Sequence, residues 1–198
     1  MPETIAVIIG TYGDEKWKRM ARVAMISAER QTHKPEVILH HHGETLARAR
    51  NDPVNWINTE WLIFLDADDE LDPGYCESIL AGYGDIRYPR FRLIGWPLED
   101  PNKIQEIPSV DITLQNFCVI GSAIRRKLFI EIGGFKEGPI WEDWFLWLKA
   151  WKSGAEFRQC RDAVYNIHHR PDSRNNSTDA ATKRQALDEI SRFNLAKR

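Results

Sequence analysis

At residues 61–70 the chain reads WLIFLDADDE, with five apolar residues running directly into Asp66, Asp68, Asp69 and Glu70. Such a carboxylate run repels itself, and no basic residue adjoins it in sequence. At an extended strand end, residues i and i+2 point to the same side, so Asp66 and Asp68 are expected to address one ligand. Carboxylate oxygens suit magnesium or manganese, hard cations that keep waters and share coordination with substrate phosphates. Asp69, Glu70 and Asp72 read instead as turn and helix-start residues ahead of Pro73.

The elements around this cluster place it. IAVIIG (5–10) is a short β-branched run ending at Gly, the pattern of a buried strand. Trp17, Met20, Ala21, Ala24 and Ala28 recur at helical spacing, predicting a helix over 15–31. VILHH (37–41) follows Pro35 as a second strand, TLARARN (45–51) forms a short helix before a loop at Asp52-Pro53, and WLIFLD (61–66) is the third strand. A helix then runs from Pro73 to about Leu80. Alternating strands and helices predict an α/β chain with a central, mostly parallel sheet flanked by helices. Ligands of such sheets sit beyond the carboxyl ends of the strands. Thr11-Tyr12-Gly13, the His40-His41-His42 run and the acidic cluster converge there.

The second half is less regular. Residues 85–96 read as strands broken by Pro89, 97–110 as a Pro-rich loop, and FCVIGSAI (117–124) as a further strand. RKLFIEIGGF (126–135) is a helix stopped by Gly133-Gly134, and EDWFLWLKAWKSG (142–154) a helix with acidic residues in its first turn and Gly154 as its stop. Strands near 156–160 and 163–167, a polar loop over 169–178 and a terminal helix over 179–195 complete the pattern. Trp144, Leu148 and Trp151 share one helical face and are expected in the core.

Composition sets bounds. The 198 residues suit one domain, and a net charge of −2 gives no global attraction to nucleic acid or anionic membrane. No apolar stretch approaches the ~20 residues of a membrane span, and the N-terminus lacks the pattern of a signal peptide. Cys76, Cys118 and Cys160 suggest no disulfide framework, and their spacing to the histidines supports no zinc site. A cytoplasmic, free-standing protein is the expectation.

The motifs resemble the family 2 glycosyltransferases, which have the GT-A fold and use nucleotide-sugar donors. VIIGTYG (7–13) is similar to the family's first-strand motif, with Gly10 and Gly13 in place of Pro and Asn. LARARN (46–51) resembles the segment before the DxD strand, and WLIFLDADDELDPGY (61–75) the signature block. GSAIRRKLFIEIGGF (121–135) and WEDWFLWLKAWKSG (141–154) resemble the acceptor-side block with its GGF and Glu-Asp pair. The likeness extends to about residue 177. It implies a donor-binding half over about 1–96, an acceptor and catalytic half over about 97–177, and a C-terminal helix over 178–198.

The resemblance also implies roles. Thr11 and Tyr12 would line the nucleotide base pocket, Arg50 would approach the diphosphate, Asp66 the ribose or metal shell, and Asp68 would ligate a divalent ion, manganese or magnesium. Asp143 would be the general base of an inverting transfer from a nucleotide diphosphate sugar, UDP by default, with Glu142 beside it. Such a base typically contributes ~10²–10⁴-fold. Trp141, which by position lies before the helix and next to that base, reads either as a platform for an acceptor sugar ring or as a packing residue. YNIHHRPDSRNNS (165–177) is similar to the tail motif, in which His168 or His169 would reach the metal or the diphosphate and Arg170 the phosphates. The family's second-strand Asp, which contacts the base, is replaced here by His41-His42, leaving His42 as the candidate contact. Arg87, Arg90 and Arg92 with Arg125, Arg126 and Lys127 form two basic groups that would suit an anionic acceptor; a glycan, polymer, protein or modified nucleic acid all stay open.

Two other readings compete. A haloacid-dehalogenase-like phosphohydrolase also ends a strand in DxD, but it places that strand first and carries Thr or Val where Glu70 stands. A carbohydrate-binding module would use the eight Trp residues, but on exposed strands, and would need neither Asp68 nor Asp143.

Overall fold

The computed structural model describes residues 3–107, 111–138 and 140–195. Pro108 of the expected loop and the end of the C-terminal segment, 196–198, lie outside them.

The first half follows its hydrophobic pattern. β1 (Ile5–Tyr12) is buried on both faces and pairs in parallel with β2 (Val37–Gly43) and β3 (Trp61–Leu65). The register sets Thr11 beside His42 at the carboxyl end of the sheet. α1 (Glu15–Glu29) begins where Asp14 accepts a hydrogen bond from Lys16 N at 2.7 Å. Its buried Ala21, Ala24 and Ala28 let it lie close on the strands. α2 (Leu46–Asn51) is capped by Thr45, whose hydroxyl accepts from Arg48 N at 3.1 Å.

The second half extends the same sheet with β4 (Glu70–Leu71), β5 (Ile86–Ile94), β6 (Ile104–Gln105), β7 (Ala123–Arg125) and β8 (Phe157–His168). The strand order is β2-β1-β3-β7-β5-β8-β4, with β6 on β5. The parallel ladders, β1 with β2, β1 with β3 and β5 with β8, are the long ones; each antiparallel pairing spans two residues. The sheet is thus mostly parallel, and helices flank it: α3 (Tyr75–Leu80), α4 (Arg126–Glu131), α5 (Glu142–Lys152), α6 (Arg174–Ser177) and α7 (Ala180–Leu195). Among the described residues no helix is long and apolar enough to cross a membrane.

Three local expectations change. Pro89 does not break β5 in two; the ladder continues through a bulge, pairing Pro89 with Cys160 and Arg90 with Val164. The two strands expected over 156–167 are accordingly the two arms of β8. The expected strand over 117–124 is mostly a turn, with only Ala123–Arg125 on the ladder and Ser122 N bonded to Val119 O at 2.9 Å. Its apolar residues pack inward instead: Cys118 and Ile120 are buried, and a Cβ on Gly121 would lie 2.2 Å from the Tyr165 ring. The polar loop after β8 contains the short helix α6, with Ser173 as its N-cap.

α5 is buried almost all round, through Trp144, Phe145, Leu146, Trp147, Leu148 and Ala150. At ~1.5–3 kcal/mol for each large apolar side chain buried, it anchors the second half. Trp61 and Trp147 are fully buried and Trp144 nearly so, which places much of the Trp content in the core.

Candidate active site

A cleft of about 410 Å³ opens at the carboxyl ends of β1 and β3. Its walls come from Gly10–Tyr12, Trp17, Arg50, Asp66–Asp69, the 116–120 turn, Trp141–Asp143, Tyr165, Ile167 and Arg174.

β3 stops at Leu65, and Asp69 N donates to Asp66 O at 3.1 Å, so the acidic segment is a turn. The expected extended geometry at Asp66 and Asp68 is therefore replaced by a tighter one. Asp66, Asp68 and Asp69 bring oxygens within 4.8 Å of one another. Asp69 is not the solvated turn residue the sequence suggested. It is buried, and its Oδ1 accepts from His168 N at 2.9 Å. The buried Tyr165 hydroxyl donates to Asp69 and accepts from Asp66 N at 3.2 Å. Burial, then the neighbouring Asp66 charge, pushes the Asp68 carboxyl up to about 6. The same causes, with Asp68 added, hold Asp69 well above the ordinary range. Glu70 contacts His168 at 2.9 Å, and Asp72 pairs with Arg92 at 2.9 Å.

Among the described residues, cations reach this turn only at its edges. Arg50 NH2 bonds Asp66 Oδ1 at 2.5 Å, and Arg170 Nε lies 3.7 Å from Asp68 Oδ2. Three hard oxygen donors, two of them resisting ionisation through burial first and mutual repulsion second, fit a divalent cation. Among the described residues the donor group contains neither His168 nor His169. Both histidines have other partners: His168 is held by Glu70 and His169 packs against Trp96 with ring centroids 4.8 Å apart.

The opposite wall is built differently. Glu142, 4% exposed, receives Arg50 NH1 on Oε1 at 2.6 Å and Arg174 NH2 on Oε1 and Oε2 at 2.6 and 2.5 Å. Burial alone would raise its pKa, but the two guanidinium groups outweigh burial and hold it at about 2. Asp143, the next residue, has neither arginine on it. Asn116 Nδ2 donates to its Oδ2 at 2.9 Å, while burial and then the Glu142 charge push its pKa up to about 6. Trp141, at φ 58°, turns the chain into α5 and meets Trp144 edge-on at 6.2 Å.

Arg50 is itself positioned by a distant segment. Its neighbour Asn51 donates to Phe135 O and accepts from Phe135 N, both at 2.9 Å, and the Phe135 ring lies 5.1 Å from the Arg50 guanidinium. Gly134 sits at φ +58°, where a Cβ would lie 2.6 Å from Asn51 Oδ1. Glycine is required there on both counts.

At the base of the cleft the buried Thr11 hydroxyl lies 2.8 Å from His40 Nε2 and 3.0 Å from His42 Nδ1. A hydroxyl has one proton to donate, so at least one imidazole donates to it. Burial and the neighbouring histidines lower the His40 pKa, keeping that ring neutral at pH 7.

Residues 21–133 match the family described as Glycosyl transferase family 2. The chain belongs to that family. The chain also shares its fold with S. aureus TarS. TarS 1–349 in complex with UDP-GlcNAc superposes with a TM-score of 0.69 at 15% identity, over 94% of this chain and 64% of that one. TarS without that truncation gives 0.64 at 17% identity, over 98% of this chain and 44% of that one. TarS 1–349 in complex with UDP gives 0.62 at 16%, over 98% and 72%. The chain thus spans less than two thirds of the first TarS chain. No curated protein matches it in sequence. Membership in family 2 sets aside the phosphohydrolase and the binding module, and here the DxD turn follows an inner strand, β3, between β1 and β7.

Sequence reasoning missed four residues that line the cleft: Asp69, Asn116, Tyr165 and Arg174. Arg174 could have been found, since the tail motif holds an Arg on either side of Ser173. Nothing in the sequence pattern marks Tyr165 or Asn116.

Proposed function

We propose that this glycosyltransferase moves a sugar from a UDP-sugar to an acceptor hydroxyl, with inversion at the anomeric carbon and a requirement for magnesium or manganese. One observation carries the reading: a single cleft holds the three-carboxylate turn and, on another wall, one carboxyl raised to about 6. Asp143 at that value is ionised at neutral pH yet basic enough to take the acceptor's proton as the new bond forms. Asn116 fixes its orientation. Asp66, Asp68 and Asp69 would hold the divalent ion, which when bound neutralises charge developing on the leaving nucleotide diphosphate.

Thr11 and Tyr12, with His42 behind Thr11, line the base pocket, and Arg170, which pairs with Asp172 at 2.9 Å, would have to exchange that partner to meet a phosphate at the edge of the acidic turn. Arg50 has both its terminal nitrogens on carboxylates, so it acts by tying Asp66 to Glu142. Trp141 faces the acceptor. Residues 1–96 then form the donor half and 97–177 the acceptor half of one cytoplasmic domain. The UDP-GlcNAc and UDP complexes of TarS, a fold relative, support the choice of UDP.

Thermal shift with UDP-GlcNAc and related UDP-sugars, with and without manganese, tests this. Ligand at 100 times its Kd adds about 2.7 kcal/mol, or roughly 5–10 °C for a chain of this size. A manganese-dependent rise with one UDP-sugar is expected. No rise with any of them overturns the donor assignment.

A further inference from the structure

Glu142 is the most heavily bonded acid in the cleft. Arg50 meets it from α2 through Oε1, whereas Arg174 spans both oxygens from the segment after β8. The chain enters α5 under strain. Trp141 is a non-glycine residue at φ 58°, and no side chain caps the helix. A left-handed non-glycine conformation persists only where surrounding contacts over-determine it. Glu142, the residue immediately after it, supplies those contacts.

We propose that Arg174 is a positioning residue for Asp143: by clamping both oxygens of Glu142 it holds the strained entry to α5 and brings a cation to the base through that carboxylate. This rests on Asp143 being the base. The tail after β8 thereby becomes part of the catalytic wall, 32 residues away in sequence from the acid it grips. Arg174 is one-third exposed where Glu142 is buried, so the clamp sits at the solvent end of the pair. Its Ser173 cap and the bond from Thr178 Oγ1 to Arg174 O at 2.6 Å fix the short helix that carries it.

The charged and titratable groups facing Asp143 are few. Glu142 lies beside it on α5, Arg50 comes from α2, and the Cys118 thiol from the 116–120 turn is kept neutral by burial, while Arg174 from α6 acts on it through Glu142, whose two oxygens it bonds. With Arg174 removed, Arg50 still holds Glu142 ionised, and Asp143 faces that negative charge with one cation fewer. Its carboxyl then takes a proton more readily.

The test is a ¹³C NMR titration of the carboxyl carbons in the full chain, with D143N identifying the Asp143 signal. The wild-type midpoint is expected at about 6. R174Q is expected to raise it by about one pH unit. R174K keeps the charge but loses the fork, so it should raise the midpoint by less; it also carries the test alone should R174Q fail to fold. A midpoint unmoved or lowered in the folded variants overturns the proposal. UDP release from UDP-GlcNAc with manganese, measured on D143N, separates the two levels. Full turnover by D143N overturns the base, and the role of Arg174 with it. Blocked turnover with an unmoved R174Q midpoint overturns only the clamp.

Discussion

The two acidic walls of the cleft are made of the same chemistry and hold their charge in opposite ways. In the turn after β3, Asp66, Asp68 and Asp69 crowd together with arginine only at the edges, and the two innermost carboxyls resist ionisation. At the start of α5, Glu142 sits between two guanidinium groups and stays ionised down to a pH of about 2. Its neighbour Asp143 is denied that compensation and rises to about 6. Environment sets these roles. Carboxylates left short of positive charge suit a ligand that brings it or a proton yet to be taken; the fully paired one is held ionised by its arginines.

The sharpest way to break this contrast is at Asp143. Asp143→Asn should lower kcat for UDP-sugar turnover by ~10²–10⁴-fold while donor affinity in thermal shift stays within a few-fold of wild type. Near wild-type turnover would remove the base. The pH dependence follows from the sign of the shift. The folded pKa of Asp143 lies above its unfolded value of 3.8, so its contribution to stability is full below about 4 and is lost as pH rises through about 6. Activity should run the other way, rising through pH 6. At pH 8, Asp143→Asn is then expected to gain ~1–3 kcal/mol in urea unfolding.

Glu142 should behave in the opposite sense. Glu142→Gln leaves Arg50 and Arg174 facing a neutral amide in a buried site, and a loss of ~3–5 kcal/mol is expected in urea unfolding at pH 7. In wild type this contribution, being from a depressed pKa, is present above the ordinary value of 4.5 and fades as pH falls toward about 2. A cost below ~1 kcal/mol would mean the pair is solvated, and the contrast between the walls would collapse.

The smallest expected effect is in the acidic turn. Asp68→Asn relieves repulsion with Asp66 and Asp69, so the ligand-free chain should gain about 1 kcal/mol at pH 8. The same change should abolish any manganese-dependent thermal shift. An undiminished manganese response in that variant would take Asp68 out of the metal site.

Much of this was legible in the chain. The first half follows its alternation of apolar strands and helices because β1 and β3 are buried on both faces, and an uninterrupted apolar run is the direct signature of that burial. The DxD segment, the GGF triplet and the Glu-Asp pair marked the family correctly, although the family match ends at residue 133, before α5. Legibility fell where apolar content served a turn. FCVIG reads as a strand by composition, but it folds over to make room for the Tyr165 ring. The bulge opposite Pro89 was visible only as a break, since a missing N–H does not say whether the ladder stops or slips.

What the sequence determined by itself is local: which segments bury both faces, where glycine must end an element, and which acidic residues cluster within four positions. It could not assign ionisation. Arg50 and Glu142 are separated by 92 residues, Glu142 and Arg174 by 32, and Asp66 and Tyr165 by 99. Only the tertiary structure brought these groups within hydrogen-bonding distance and removed water from between them. Charge interactions depend on separation and dielectric, and neither is a property of sequence spacing. So the chain alone announced acids at both walls, and folding decided which of them stays ionised and which resists ionisation.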